Sequence, residues 1–181
     1  MERCKGRCRH ESRAGFPKPA GDEKDPQQIT TNMFPILIVD DLREDSELAE
    51  RVFRDANIVN PIFRMNRGEA CVDFLRQRYS PGAKDKMPAA LVLMDLQMPV
   101  MNGVQTIAAI NEAVLNPGPF IVMISGQADV KLVREGYQLG AKTFLTKPLT
   151  GRDLDGFLES NERLISTVMR ASGYELHWIG R

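Results

Sequence analysis

Three short runs, ILIVD (Ile36 to Asp40), LVLMD (Leu91 to Asp95) and FIVMIS (Phe120 to Ser125), are apolar at consecutive positions and then stop on a polar group. A strand with one wet face alternates; a strand buried on both faces reads as an unbroken apolar run, as in a parallel sheet covered by helices. The stretches between the runs have helical spacing. Leu48, Ala49, Val52, Phe53 and Ala56 recur on one face, predicting a helix over about Asp45 to Asn57. Pro61 to Met65 reads as a weaker strand. Ala70, Cys71, Phe74 and Leu75 share the face of a second helix, which makes Cys71 a core residue rather than a reactive thiol.

Further along, Ser80 to Pro88 is rich in turn formers and charge and reads as an exposed loop. Val104, Ile107, Ala108 and Leu115 mark a third helix that stops before Asn116. A fourth runs from about Asp129 to Leu139 with Gly140 as its stop, Thr143 to Thr146 makes a fifth strand, and a last helix begins near Gly151. Five strands alternating with five helices through tight connections specify a parallel sheet with helices on both faces. The last helix carries the apolar row Leu154, Phe157, Leu158, Leu164, Ile165, Val168 and Met169 and is expected to continue to about Ala171. At 1.5 Å per residue it would be roughly 30 Å long, longer than the sheet beneath it, so part of the row is expected to face a partner or fold back.

The organisation expected is a disordered leader over 1–31, one domain over 32–159, and an extension of the last helix with a short tail over 160–181. The leader holds 7 basic and 5 acidic residues, a net of 7 − 5 = +2, with few large apolar side chains. Cys4, Cys8 and His10 fall at a spacing that suggests zinc, but three ligands without a fourth make a poor site, and a solvated tail is the better reading. Lys plus Arg and Asp plus Glu number 24 each, so overall charge argues for neither a nucleic-acid nor an acidic partner. No apolar run approaches the roughly 18 residues that span a bilayer. Three cysteines suggest no disulfide framework, and a soluble cytoplasmic protein is expected.

In a parallel sheet all carboxyl ends lie on one edge, where open α/β sheets place their chemistry. The first strand ends in Asp40 and Asp41, the third in Asp95, the fourth in Ser125, and the fifth in Lys147 followed by Pro148. Each residue alone has an ordinary explanation as loop acid, helix cap, surface charge or chain stop. Together they converge. Three clustered carboxylates repel unless a cation is present, and a hard divalent ion such as Mg2+ relieves the repulsion while keeping waters for a phosphate. Lys147 and Ser125 supply the charge and hydroxyl that hold the oxygens of a transferring phosphoryl group. One carboxylate can then act as nucleophile and form an acyl phosphate, and Asp95, alone in the middle of the set, is the best placed.

These residues resemble the receiver domain of two-component response regulators over about Met33 to Glu159. The resemblance rests on the acidic pair Asp40–Asp41, the segment Asp95 to Gly103 matching D-x-x-M-P-x-M-[DN]-G at every fixed position, Ser125, and Lys147–Pro148. The separations from 95 to 125 and from 125 to 147 are 30 and 22 residues, as is usual in the family. It implies a flavodoxin-like sheet of order 2-1-3-4-5 and a phosphoryl group accepted on Asp95 from a sensor histidine kinase or a histidine phosphotransfer protein. It also implies Mg2+ held directly by Asp41 and Asp95, through water by Asp40, and by the backbone carbonyl of Gln97. Lys147, beside a Lys-Pro bond that is typically cis, would pair with the phosphoryl oxygens; Ser125 and Phe144 would form the switch. Gln97 and Gln127 occupy variable positions that tune the phosphate's lifetime.

Two departures stand out. The gap from Asp41 to Asp95 is 54 residues, longer than usual by about the length of the Ser80–Pro88 loop, and is loosely similar to that of stand-alone receivers associated with bacteriophytochromes. Phe144 stands where many members have Tyr and offers no hydroxyl. About 22 residues follow Glu159, too few for a helix-turn-helix, and no basic stripe is present. The expected function is therefore a single-domain response regulator that binds a target or dimerises, through the sheet edge and last helix, when phosphorylated. It catalyses only its own phosphorylation and dephosphorylation, with no nucleic-acid or membrane partner. The alternatives are a constitutive interaction module and a phosphate relay or sink. A haloacid-dehalogenase-type phosphatase fits poorly, because its second acid would fall at Gln97.

Overall fold

The computed structural model describes residues 33–81, 88–127 and 129–179. The expectations for residues 1–31, including Cys4, Cys8 and His10, and for most of the Ser80–Pro88 loop lie outside the described residues. Five strands and five helices alternate along the chain: β1 (Ile36–Val39), α1 (Arg43–Asp55), β2 (Ile62–Met65), α2 (Gly68–Tyr79), β3 (Leu91–Asp95), α3 (Gly103–Glu112), β4 (Phe120–Ser125), α4 (Val130–Gln138), β5 (Thr143–Thr146) and α5 (Gly151–Ser160). The strands form one sheet in the order β2-β1-β3-β4-β5, every pair parallel.

The unbroken apolar runs are explained by two cores, one on each face. Leu37, Val39, Val92, Met94, Ile121 and Met123 join Cys71, Leu75 and Ile107 of α2 and α3. The alternate residues Ile36, Ile38, Leu91, Leu93, Val122 and Ile124 join Phe53 of α1 and Leu154 and Phe157 of α5. Cys71 is fully buried, and burial pushes its thiol up to about 12, so it is the inert core residue the spacing implied. Helix α3 is shorter than expected: it ends at Glu112, and Val114 takes a left-handed φ of 47° that breaks the helical path before Leu115.

The long last helix is not formed. Helix α5 stops at Ser160, with Asn161 as its C-cap, and the chain re-enters as an antiparallel hairpin, β6 (Ile165–Arg170) and β7 (Gly173–Trp178), joined through Ala171 and Ser172. Leu164, Ile165, Val168 and Met169 therefore do not continue the row of Leu154, Phe157 and Leu158. From Ser166 to Arg170 burial alternates between half-buried and exposed, the period of a strand, while Ile165 is buried in the core. The β-branched Ile165, Thr167 and Val168 favour that pleated surface over a helix.

The hairpin folds onto the edge of the sheet where the strands begin. Trp178 stacks on Phe34 with ring centroids 4.3 Å apart, lies 5.3 Å from Phe120, and donates its indole N–H to the Ala89 carbonyl. Buried Asn60 donates to the carbonyls of Phe34 (2.8 Å) and Leu176 (2.9 Å) and accepts from the Leu176 N–H (2.7 Å). Gly173, with φ of 142°, lies so close to the chain before β2 that a Cβ there would come within 2.5 Å of the Asn57 carbonyl oxygen. Phe34, Asn60, Ala89 and Phe120 stand at or just before the starts of β1, β2, β3 and β4. The hairpin thus closes the amino edge, leaving the carboxyl edge for chemistry.

Candidate functional site

Each functional side chain follows from a strand that ends. Strand β1 delivers Asp40 and Asp41, β3 delivers Asp95, β4 delivers Ser125, and β5 delivers Lys147, whose backbone N–H donates to the Ser125 carbonyl at 2.9 Å. The bond between Lys147 and Pro148 is cis. The turn after Asp95 needs its glycine: a Cβ on Gly103 would lie 2.2 Å from the Asp95 carbonyl oxygen and 2.9 Å from the Leu96 Cα. Asn102 then caps α3, its side chain accepting from the Gln105 N–H while the Gln105 side chain accepts from the Asn102 N–H. The Asn-Gly pair of the motif therefore docks a helix against the strand that carries Asp95.

Lys147 is the hub. Its Nζ lies 2.6 Å from Asp40 Oδ2, 2.8 Å from Asp95 Oδ2 and 3.0 Å from Asp45 Oδ2. Asp45, in the first turn of α1, was not among the residues singled out from the sequence. Desolvation pulls the lysine's affinity for its proton down, but its hydrogen bonds to the carboxylates outweigh this and hold it above its ordinary value of 10.5. It therefore stays charged.

Asp40 and Asp95 are almost wholly buried, and Asp41 is half-buried. One oxygen of each of these three carboxylates lies within 4.8 Å of the others. Asp40 Oδ1 accepts from the Leu42 N–H, and Asp95 Oδ1 accepts from the N–H of the exposed Gln97, both at 3.0 Å. Asp40 Oδ2 is buried in a 2.6 Å ion pair with the Lys147 ammonium and has no other partner among the described residues. Burial pushes the Asp40 carboxyl above its ordinary 3.8; Lys147 and the Leu42 N–H oppose the shift, and Asp95 adds to it.

Four carboxylates against one ammonium leave a formal excess of 4 − 1 = 3 negative charges. Three clustered oxygen donors and this excess fit a hard divalent cation such as Mg2+. Asp40, Asp41 and Asp95 are the residues that could hold it.

Ser125 is fully buried, and its hydroxyl donates to the Gln127 carbonyl at 2.8 Å, within its own loop. Phe144, paired in register with Met123, is half-buried and packs against the core beneath α2 to α4. The structure thus brings Asp40, Asp41, Asp95 and Lys147 together and adds Asp45, with Ser125 and Phe144 on the strands beside them. Among the described residues no helix is long and apolar enough to cross a membrane.

Comparison with known proteins agrees with this fold. The family model for the response regulator receiver domain matches residues 36–159. The response regulator Rcp1 of Synechocystis is 28% identical over 138 residues, covering 74% of this chain and 85% of that protein. Its solved Mn2+-bound form superposes with a TM-score of 0.54 at 26% identity, covering 72% of this chain and 92% of that one. The probable methanogenesis regulatory protein FilR2 of Methanothrix harundinacea is 29% identical over 127 residues, covering 70% of this chain and 79% of that protein. The bacteriophytochrome response regulator RtBRR matches in fold with a TM-score of 0.64 at 21% identity, covering 77% of this chain and 84% of that one.

Proposed function

Because the chain belongs to the response regulator receiver domain family, we propose that it is a cytoplasmic response regulator whose Asp95 accepts a phosphoryl group from the phosphohistidine of a sensor histidine kinase or a phosphotransfer protein. The observation that carries this reading is the Lys147 ammonium held 2.8 Å from Asp95 and 2.6 Å from Asp40 at the carboxyl edge. An Asp95 oxygen attacks phosphorus, the P–N bond breaks, its electron pair returns to the donor imidazole, and an acyl phosphate forms. Lys147 moves from the Asp95 carboxylate to the incoming oxygens, and the Gln97 N–H holds the other carboxylate oxygen in place. Mg2+ on Asp40, Asp41, Asp95 and the Gln97 carbonyl, when bound, would neutralise charge on the phosphoryl oxygens. The Mn2+-bound form of Rcp1 and the clustered carboxylates of Asp40, Asp41 and Asp95 support a divalent ion at this site.

The output reading is a population shift. Ser125 leaves the Gln127 carbonyl for a phosphoryl oxygen, and Phe144 turns inward behind it. The altered face then binds a target protein or a second copy of the chain, without nucleic acid or membrane. No reaction is catalysed beyond gain and loss of the chain's own phosphoryl group.

The test is incubation with Mg2+ and a small acyl phosphate donor, following phosphate incorporation and molecular mass in solution. Incorporation with a change in self-association or partner capture is the expected result. Incorporation with neither supports a relay or sink, and an association that ignores phosphorylation supports a constitutive module.

A further inference from the structure

We propose that Asp45 is a positioning residue of the phosphorylation site, the outer seat on which Lys147 rests when Asp40 turns to a divalent cation. The inference deepens the proposed function and rests on it. An ammonium has three N–H donors, and three carboxylates surround this one. Two of them are dry: the Asp40 and Asp95 side chains are 0% and 5% exposed. The third is wet, with the Asp45 side chain 37% exposed. Lys147 therefore stands between a buried pair and a single carboxylate at the mouth of the site.

Two cations would compete for Asp40 Oδ2. Its Oδ1 already accepts from the Leu42 N–H, and Oδ2 lies against the ammonium at 2.6 Å. Once that oxygen turns to a divalent ion, the ammonium is repelled outward. Asp95 also releases Lys147 when its carboxylate becomes an acyl phosphate. Of the three partners, only Asp45 keeps its charge and its place through both events. A lysine seated there remains at the site with donors free for phosphoryl oxygens.

A first-turn acid is ordinarily explained by the helix dipole. Glu44 lies beside Asp45 in that turn and answers the dipole equally, but Asp45 is the one within ion-pair distance of Lys147. The anchoring role makes a prediction that the dipole role does not, because it couples Asp45 to Lys147 specifically.

The experiment is a double-mutant cycle on the full chain, reading Mg2+ affinity by calorimetry without any phosphodonor. With Lys147 present, Asp45→Asn should weaken Mg2+ binding about tenfold; with Lys147→Met it should weaken binding only about threefold, the screened attraction of one lost charge. Equal factors in the two backgrounds would overturn the proposal. Should Lys147→Met not fold, Asp45→Glu decides. Its longer arm still reaches the ammonium, so affinity within about twofold of wild type supports the seat, and a loss equal to that of Asp45→Asn overturns it. The proposed function fails separately, if Asp95 takes no phosphoryl group, and the Mg2+ cycle still reports on Asp45.

Discussion

The two edges of the central sheet solve opposite problems. At the amino edge, the β6–β7 hairpin covers Phe34 and Phe120 with Trp178, and Asn60 satisfies three backbone groups in a fully buried position. Among the described residues, no buried side-chain nitrogen or oxygen there lacks a partner. At the carboxyl edge three carboxylates share one ammonium, and a fourth, Asp41, crowds against two of them. One edge stores stability and the other holds unspent electrostatic energy that a divalent cation and a phosphoryl group can release. A receiver needs both, because a site that repels itself must be built on a scaffold that does not yield.

Changes at the amino edge should therefore cost stability and spare the chemistry. Asn60→Ala strands the carbonyls of Phe34 and Leu176 and the Leu176 N–H, and should lower unfolding free energy by about 3 kcal/mol in a urea titration. Trp178→Ala, at a half-buried ring with one hydrogen bond, should cost about 2 kcal/mol. In both, the folded protein should still take a phosphoryl group on Asp95; loss of labelling would break the division between the edges.

The carboxyl edge should show the reverse sign. Mg2+ at ten times its dissociation constant should add about 1.4 kcal/mol to the wild-type protein. Asp40 has a folded value raised above 3.8, so its stabilising contribution is full below that pH and lost as pH rises through the folded value. At neutral pH the ionised group is a cost. Asp40→Asn keeps an oxygen for the Leu42 N–H and removes that cost; it should melt higher than wild type without metal and gain little when Mg2+ is added.

The smallest effect concerns Glu175. Burial raises its carboxyl, but hydrogen bonds from His177 and Arg170 outweigh this and hold it below the usual 4.5. Its contribution is present above the unfolded value and lost as pH falls through the folded one. Glu175→Gln should cost a few tenths of a kcal/mol at pH 7 and nothing once the wild-type carboxyl is protonated, by thermal unfolding at the two pH values.

What could be read from the chain follows the same division. The both-faces-buried strands announced themselves as unbroken apolar runs, and parallel topology did the rest, since it alone brings Asp40, Asp95 and Lys147 to one edge. Asp45 was hidden because an acid in a first helical turn is unremarkable; its partner lies 102 residues away. The hairpin was hidden because Leu164, Ile165, Val168 and Met169 happen to fit a helical spacing that extends the row of α5. The signal against a helix was local: three β-branched residues, Ile165, Thr167 and Val168, within the six of β6.

The central claim is that the unbalanced charge at the carboxyl edge exists to receive a phosphoryl group on Asp95. Its most direct measurement is the mass-spectrometric location of phosphate after exposure to a small acyl phosphate donor, with Mg2+ and with chelator, in the wild type and in Asp95→Asn. The account predicts one phosphate on Asp95, dependent on Mg2+ and absent from a variant that is folded and at least as stable as wild type. Phosphate on another residue, labelling that survives Asp95→Asn, or no labelling of the folded wild-type protein with Mg2+ would contradict it.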